Sequence, residues 1–232
     1  MDQMLARVWS EPMRILIINP NSTASMTRKI ADSACLVASS DTIVEAVNPT
    51  EGPKAIQGEE DGLAALPHLF ELFDRKTGTQ RYDAVIIACF DDTGVVELKG
   101  RGPAPVIGIG EAAFHAASLL GGLFSVVTTL SVSCPIIETN INACGFSNQV
   151  ARVRASDIPV LAFEDQPERS FDKLSLELEA AMSQDGCRSI VLGCAGMADL
   201  AQRLSQRHQV PVIDGVKAAV GLVEMMQKTL KT

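Results

Sequence analysis

The run AVIIACFDDTG, residues 84–94, carries a continuous apolar stretch onto Cys89 and follows it at once with Asp91, Asp92 and Gly94. A thiol at the exit of a buried strand lies where open α/β sheets hold their ligands. A second run, SIVLGCA at 189–195, aligns with AVIIACF at an offset of 105 and sets Cys194 opposite Cys89. Two thiols presented from opposite sides suit inversion at a carbon centre. One, as thiolate, removes a proton from one face, and the other, as thiol, delivers a proton to the opposite face. Reacting atoms about 3–3.5 Å apart place the sulfurs roughly 7 Å from one another, well beyond a disulfide bond of about 2.05 Å.

The base must ionise, and a free cysteine does so only near a pKa of about 8.5. Amides at helix N-termini favour the thiolate, and each cysteine precedes an expected helix start. Asp92 is expected to cap the short helix after Cys89, leaving Asp91 to face the substrate. The enolate oxygen that develops needs donors. Candidates are the backbone amides near Ala195 and Gly196 and the hydroxyls of Thr128 and Thr129. Asn19, in INPNS, is placed to bind a carbonyl or a ring N–H. This chemistry calls for no metal and no organic cofactor.

The elements that must position these groups alternate along the chain. Strands are expected at Ile15–Ile18, Thr42–Val47, Ala84–Ala88, Val106–Ile109, Phe124–Thr128, Ala151–Arg154, Ser189–Gly193 and Val210–Ile213. Their near-continuous Val and Ile content fits strands covered on both faces of a parallel sheet. Helices are expected near 22–38, 59–76, 93–99, 111–120, 133–144, 169–185, 197–208 and 215–230. Asn21 or Ser22 is expected to cap the first, and Gly145 to end the helix over 133–144. PVIGIGEAA at 105–113 aligns with PVIDGVKAA at 211–219, offset 106, and ILIINPNS at 15–22 with FSVVTTLS at 124–131. The predicted fold is therefore α/β: two similar doubly wound parallel-sheet halves related by a pseudo-twofold axis, with the active site in the cleft between them. The expected boundaries are an N-terminal extension over 1–13, a first half over 14–112 completed by the C-terminal helix 213–232, and a second half over 113–212.

Composition excludes other classes. The 232 residues are 47% hydrophobic and 21% charged, as in a chain with a substantial core. A formal net charge of −8 provides no basic stripe for nucleic acid. The longest apolar run, 84–90, is too short to span a bilayer, and MDQMLARVWSEP lacks a secretory h-region. Six cysteines without CxxC spacing and three scattered histidines argue against both a disulfide framework and a zinc site. A cytoplasmic location and a small-molecule partner are expected. Cys35, Cys134, Cys144 and Cys187 have no repeat partner and read as inert.

Several stretches together resemble the hydantoin and allantoin racemases of the aspartate/glutamate/hydantoin racemase superfamily. They are INPNSTASMT at 18–27, ACFDDTG at 88–94, PVIGIGEAAFHAA at 105–117, FSVVTTL at 124–130, LGCAGMADLAQ at 192–202 and VPVIDGVKAAV at 210–220. The resemblance covers about residues 14–226. It implies a cofactor-independent two-cysteine mechanism carried by Cys89 and Cys194, substrate contacts from Asn19, Thr128, Thr129 and the backbone after Cys194, and a homo-oligomer. Hydantoin racemases commonly read CFGDPG where this chain reads CFDDTG, and SIEG where it reads AIQG at 55–58. The expected activity is racemisation of a 5-substituted hydantoin or allantoin-like carbon acid. The alternatives are a decarboxylase, cis–trans isomerase or amino-acid racemase on the same scaffold, or a two-lobed sensor without catalysis.

Overall fold

The computed structural model describes residues 12–230. Of the expected N-terminal extension, residues 1–11 lie outside the described residues. The first strand begins at Met13, so the chain enters the fold earlier than its apolar run suggests.

The first half runs β1 (Met13–Ile18), α1 (Ala24–Cys35), β2 (Thr42–Val47), α2 (Glu59–Thr79), β3 (Ala84–Ile87), α3 (Val95–Leu98), β4 (Val106–Gly108) and α4 (Ile109–Leu119). The second runs β5 (Phe124–Thr128), α5 (Cys134–Ala143), β6 (Val150–Ala155), α6 (Ala162–Asp165), α7 (Pro167–Gln184), β7 (Ser189–Gly193), α8 (Ala201–His208), β8 (Val212–Asp214) and α9 (Gly215–Leu230). Each half builds one four-stranded parallel sheet, ordered β2-β1-β3-β4 in the first and β6-β5-β7-β8 in the second. The two orders are the same, as the repeat demands.

The central strands β1, β3, β5 and β7 are buried on both faces, the edge strands β2 and β6 only in part, and period-two alternation sorts their side chains. From β1, Ile15 and Ile17 enter the central core, whereas Leu16 and Ile18 face α2 and its Leu69, Leu72 and Phe73. The central core is shared by both halves. It joins β1 and β3 to Phe124 and Val126 of β5, with Phe114 of α4 and Val220 of α9 between them. A separate cluster beneath α7 and α8 covers the far side of the second sheet. Fully burying each large aliphatic side chain contributes about 1.5–3 kcal/mol, so the paired sheets form a stiff frame for the loops at their ends.

Local chemistry moved several boundaries. Pro211 has no N–H to donate to a ladder, and the last strand starts at Val212 rather than Val210. Helix α1 starts at Ala24, with Thr23 at its N-cap and no side-chain cap, so neither Asn21 nor Ser22 caps it. The Ser22 hydroxyl donates to the Gly52 and Pro53 carbonyls instead. Gly145, at φ +82, does end α5. Its N–H donates to Asn142 and that of Phe146 to Ile141, satisfying the last carbonyls. Among the described residues no helix is long and apolar enough to cross a membrane.

Candidate active site

In each half the connections leave the first and third strands for opposite directions, so β1/β3 and β5/β7 are switch points, where open sheets present a crevice. The chain leaving these strand ends converges on one cavity of about 30 Å³. Six of the expected site residues line it: Cys89, Asp91, Thr128, Thr129, Cys194 and Ala195. Two do not. Asn19 is wholly buried behind the wall, its amide nitrogen donating to Asn21 Oδ1 and Thr27 Oγ1, both at 3.0 Å. Asn21 takes its place on the cavity. Gly196 is not among the lining residues, and its N–H donates to Cys194 Sγ at 3.3 Å.

The two sulfurs are reached from matching strand exits. After each cysteine the chain makes the same first turn: Asp92 N–H donates to the Cys89 carbonyl and Met197 N–H to the Cys194 carbonyl, both at 3.1 Å. Beyond that the exits differ. Residues Ala195–Met197 continue as a 3-10 turn with Cys194 at its N-cap, so the amide expected to favour the thiolate is present. The exit from β3 does not continue in this way. Asp92 takes a left-handed φ of +49 and Gly94 caps α3, so the backbone amide that favours the Cys89 thiolate is that of Asp91, outside any helix. The Thr93 hydroxyl adds a second donor to Cys89 Sγ, at 3.4 Å.

Asp92 does not cap the helix that follows it. Its two oxygens accept from the Gly110 and Glu111 N–H groups at 2.9 and 2.8 Å, at the start of α4. A Cβ on Gly108 would lie 1.9 Å from Asp92 Oδ1, so only glycine leaves room for this long-range cap. The cap anchors the Cys89 loop to α4, and Asn140 of α5 holds the Asp91 carbonyl at 2.8 Å.

Burial dominates the electrostatics. It raises the Cys89 thiol far above the ordinary range, and the Asp91 carboxylate adds to the rise while the Thr93 hydroxyl and the Asp91 amide oppose it. Burial pushes Cys194 up to about 12, with the Gly196 amide pulling down and Asp91 again pushing up. Asp91 is itself lifted by burial to about 7, against the pull of the Gly58 amide. Asp92 also reaches about 7 by burial, opposed by its two amide donors.

The cavity is roofed by loops from both halves. Ile56 lines it, and the neighbouring Gln57 side-chain carbonyl accepts from the Val160 N–H at 2.9 Å, so the 55–58 loop clasps the second half. Thr93, Asn21 and Asn140 are contributors that the sequence reading missed. Only Thr93 carried a signal, as a departure from the racemase pattern.

Fold and cleft define an α/β protein of two like halves with acid–base groups from each facing a shared cavity. The chain belongs to the Asp/Glu/Hydantoin racemase family, which residues 15–223 match. It is similar to the hydantoin racemase of Rhizobium meliloti, 45% identical over 92% of this chain and 88% of that protein. The hydantoin racemase of Paenarthrobacter aurescens is 38% identical over 92% of this chain and 91% of that protein. The solved allantoin racemase from Klebsiella pneumoniae superposes with a TM-score of 0.88 at 40% identity, over 94% of this chain and 88% of that one. The protein is a racemase, and hence an isomerase.

Proposed function

We propose that the protein inverts the stereocentre of a 5-substituted hydantoin or allantoin-like carbon acid, without a cofactor, using Cys89 and Cys194 on opposite faces. The observation that carries this reading is the meeting of two thiols, from equivalent strand exits of two like halves, in one buried cavity. One sulfur, as thiolate, takes the proton from the stereocentre. The electron pair moves into the adjacent carbonyl as an enolate, and the opposite thiol returns a proton to the other face. Exchanging the two roles serves the opposite enantiomer.

Each sulfur has a donor that favours its ionised form, Thr93 for Cys89 and Gly196 for Cys194. Since Gly196 N–H is engaged by sulfur, the enolate oxygen falls to Thr129 and the Ala195 amide. Thr128 already donates to the Gly193 carbonyl at 2.9 Å, which leaves its oxygen to accept a ring N–H. The enzyme works in this reading as a cytoplasmic homo-oligomer, an assembly that light scattering in reducing buffer measures.

The test places single enantiomers of several 5-substituted hydantoins and of allantoin in D₂O, following optical rotation and loss of the stereocentre proton together. Racemisation with deuterium uptake is expected, and Cys89→Ser and Cys194→Ser should each lower it by about 10²- to 10⁴-fold. Racemisation that survives either substitution at the wild-type rate rejects the two-thiol mechanism. No turnover of any ring rejects the substrate class.

A further inference from the structure

Among the described residues Asp91 is the one carboxylic acid on the cavity wall, and the racemase chemistry does not employ it. The pseudo-symmetry shows why its side chain is unexpected. The turn that places Asp91 two residues after Cys89 places Gly196 two residues after Cys194. A Cβ built on Gly196 would lie 3.5 Å from Cys194 Sγ, so a side chain at this position of the turn projects beside the sulfur. In the first half that place holds a carboxyl group. Asp91 Oδ2 is buried and has no hydrogen-bond partner among the described residues.

Among the described residues, those lining the cavity include no lysine or arginine. Lys29, whose charge favours the Cys194 thiolate, pairs with Asp199 at 3.8 Å and does not line the wall. A buried carboxylate beside two sulfurs, one of which must ionise, concentrates negative charge where water is excluded. Such a charge is stable only when paired; left unpaired, the group takes up a proton, which is the direction in which burial moves Asp91. The described residues of the cavity wall offer it no cationic side chain, so a counter-charge that keeps it ionised has to come with the substrate.

We propose that Asp91 selects substrates whose substituent at the stereocentre carries a positive charge, a terminal ammonium or guanidinium group, and pairs with it at the cavity wall. This rests on the racemase reading of the same site and names the substituent that reading leaves open. The pairing has a second consequence. A cation on Asp91 cancels the charge that opposes ionisation of both Cys89 and Cys194, so the preferred substituent also favours formation of the base.

The experiment compares kcat/KM for the aminobutyl hydantoin derived from lysine with that for the neutral pentyl hydantoin of equal length, in wild type, Asp91→Asn and Asp91→Gly. The wild type is expected to favour the aminobutyl ring by about 10- to 100-fold, the range of a hydrogen bond to a charged group. In both variants the ratio should fall towards one. A wild-type ratio of one or less, or a preference that persists in Asp91→Asn, overturns the inference while turnover of the pentyl ring leaves the racemase reading standing. A parallel fall on both rings, with the ratio unchanged, assigns Asp91 a structural role and also overturns it. Failure to racemise either ring overturns the substrate reading and this inference with it.

Discussion

The two strand exits start from the same frame and solvate their sulfurs by different means. After β7 the backbone does the work: the chain curls into a 3-10 turn and the Gly196 amide meets Cys194. After β3 a side chain joins the backbone, the Thr93 hydroxyl donating to Cys89 beside the Asp91 amide. The cause lies at the next strand. In the second half, Asp214 ends β8 and accepts from the Val216 N–H at 2.9 Å, capping α9 from its own strand. The repeat aligns Asp214 with Gly108, which has no carboxylate, so in the first half Asp92 crosses from the cysteine loop to cap α4. The loop drawn across in this way makes the first turn after Cys89, then takes a left-handed residue at Asp92 where the second half adds the Ala198–Ala195 bond of its 3-10 turn. The placement of one helix cap thus bears on how the Cys89 sulfur is held.

The two solutions should be exchangeable, and the effect should be the largest available. Gly108 has φ −89 and ψ 154, a conformation open to any residue. Gly108→Asp alone would set a second carboxylate into the space of Asp92, with an expected loss of about 3 kcal/mol or more from overpacking and like charge. Asp92→Gly alone removes a cap, at about 1–2 kcal/mol, while its left-handed backbone accepts glycine readily. The double variant should recover most of the loss, because the carboxylate introduced at position 108 then caps α4 as Asp214 caps α9. Urea midpoints for the four proteins give the coupling energy. A double variant no more stable than Gly108→Asp would break the equivalence of the two caps.

This long-range cap also marks where reading the sequence stops. The central strands were legible because runs such as AVII, and IVL within SIVLG, are apolar, as burial on both faces requires. The cysteine pair was legible through the repeat. The cap was not, because Asp92 looks like the start of the helix that follows it. Its true partners, Gly110 and Glu111, lie beyond another helix and strand. The alignment of Gly108 with Asp214 held the clue, but only the clash of a Cβ with Asp92 gives it meaning. Asn19 and Asn21 show the same limit on a smaller scale. Both are amides in one short turn, and the fold alone decides that Asn19 supports the wall and Asn21 lines it.

A second difference between the exits is titratable. Asp91, with its pKa lifted to about 7, has a glycine as its counterpart in the second half. A carboxyl group raised in the folded state binds a proton that the unfolded chain has already released. Its contribution to stability is therefore full below the unfolded value near 3.8 and is lost as the pH rises through about 7. Asp92, lifted to a similar value, acts in the same direction. Stability should thus fall by a few kcal/mol from acid to neutral pH, and Asp91→Asn should flatten part of that slope. Denaturation midpoints across the window test this. A slope unchanged in Asp91→Asn would mean that the Asp91 carboxyl is solvated and the asymmetry carries no charge.

The smallest expected effect isolates the sulfurs themselves. Thr93→Val keeps the volume of the side chain and removes the hydroxyl that Cys89 receives, while Cys194 keeps the Gly196 amide. Kinetics alone cannot assign the loss to one thiol, since the two enantiomers of a substrate are equal in free energy. The kcat/KM values in the two directions must therefore remain equal, whichever sulfur is weakened. Alkylation reads each sulfur separately, because the thiolate is the reacting form. In Thr93→Val, at fixed alkaline pH, modification of the Cys89 peptide should slow by about tenfold, the low end for a hydrogen bond to a charged group. The Cys194 peptide should react as in wild type. Equal slowing of both would show that the two thiols titrate as one coupled unit, and that the contrast between a side-chain donor and a backbone donor has no chemical consequence.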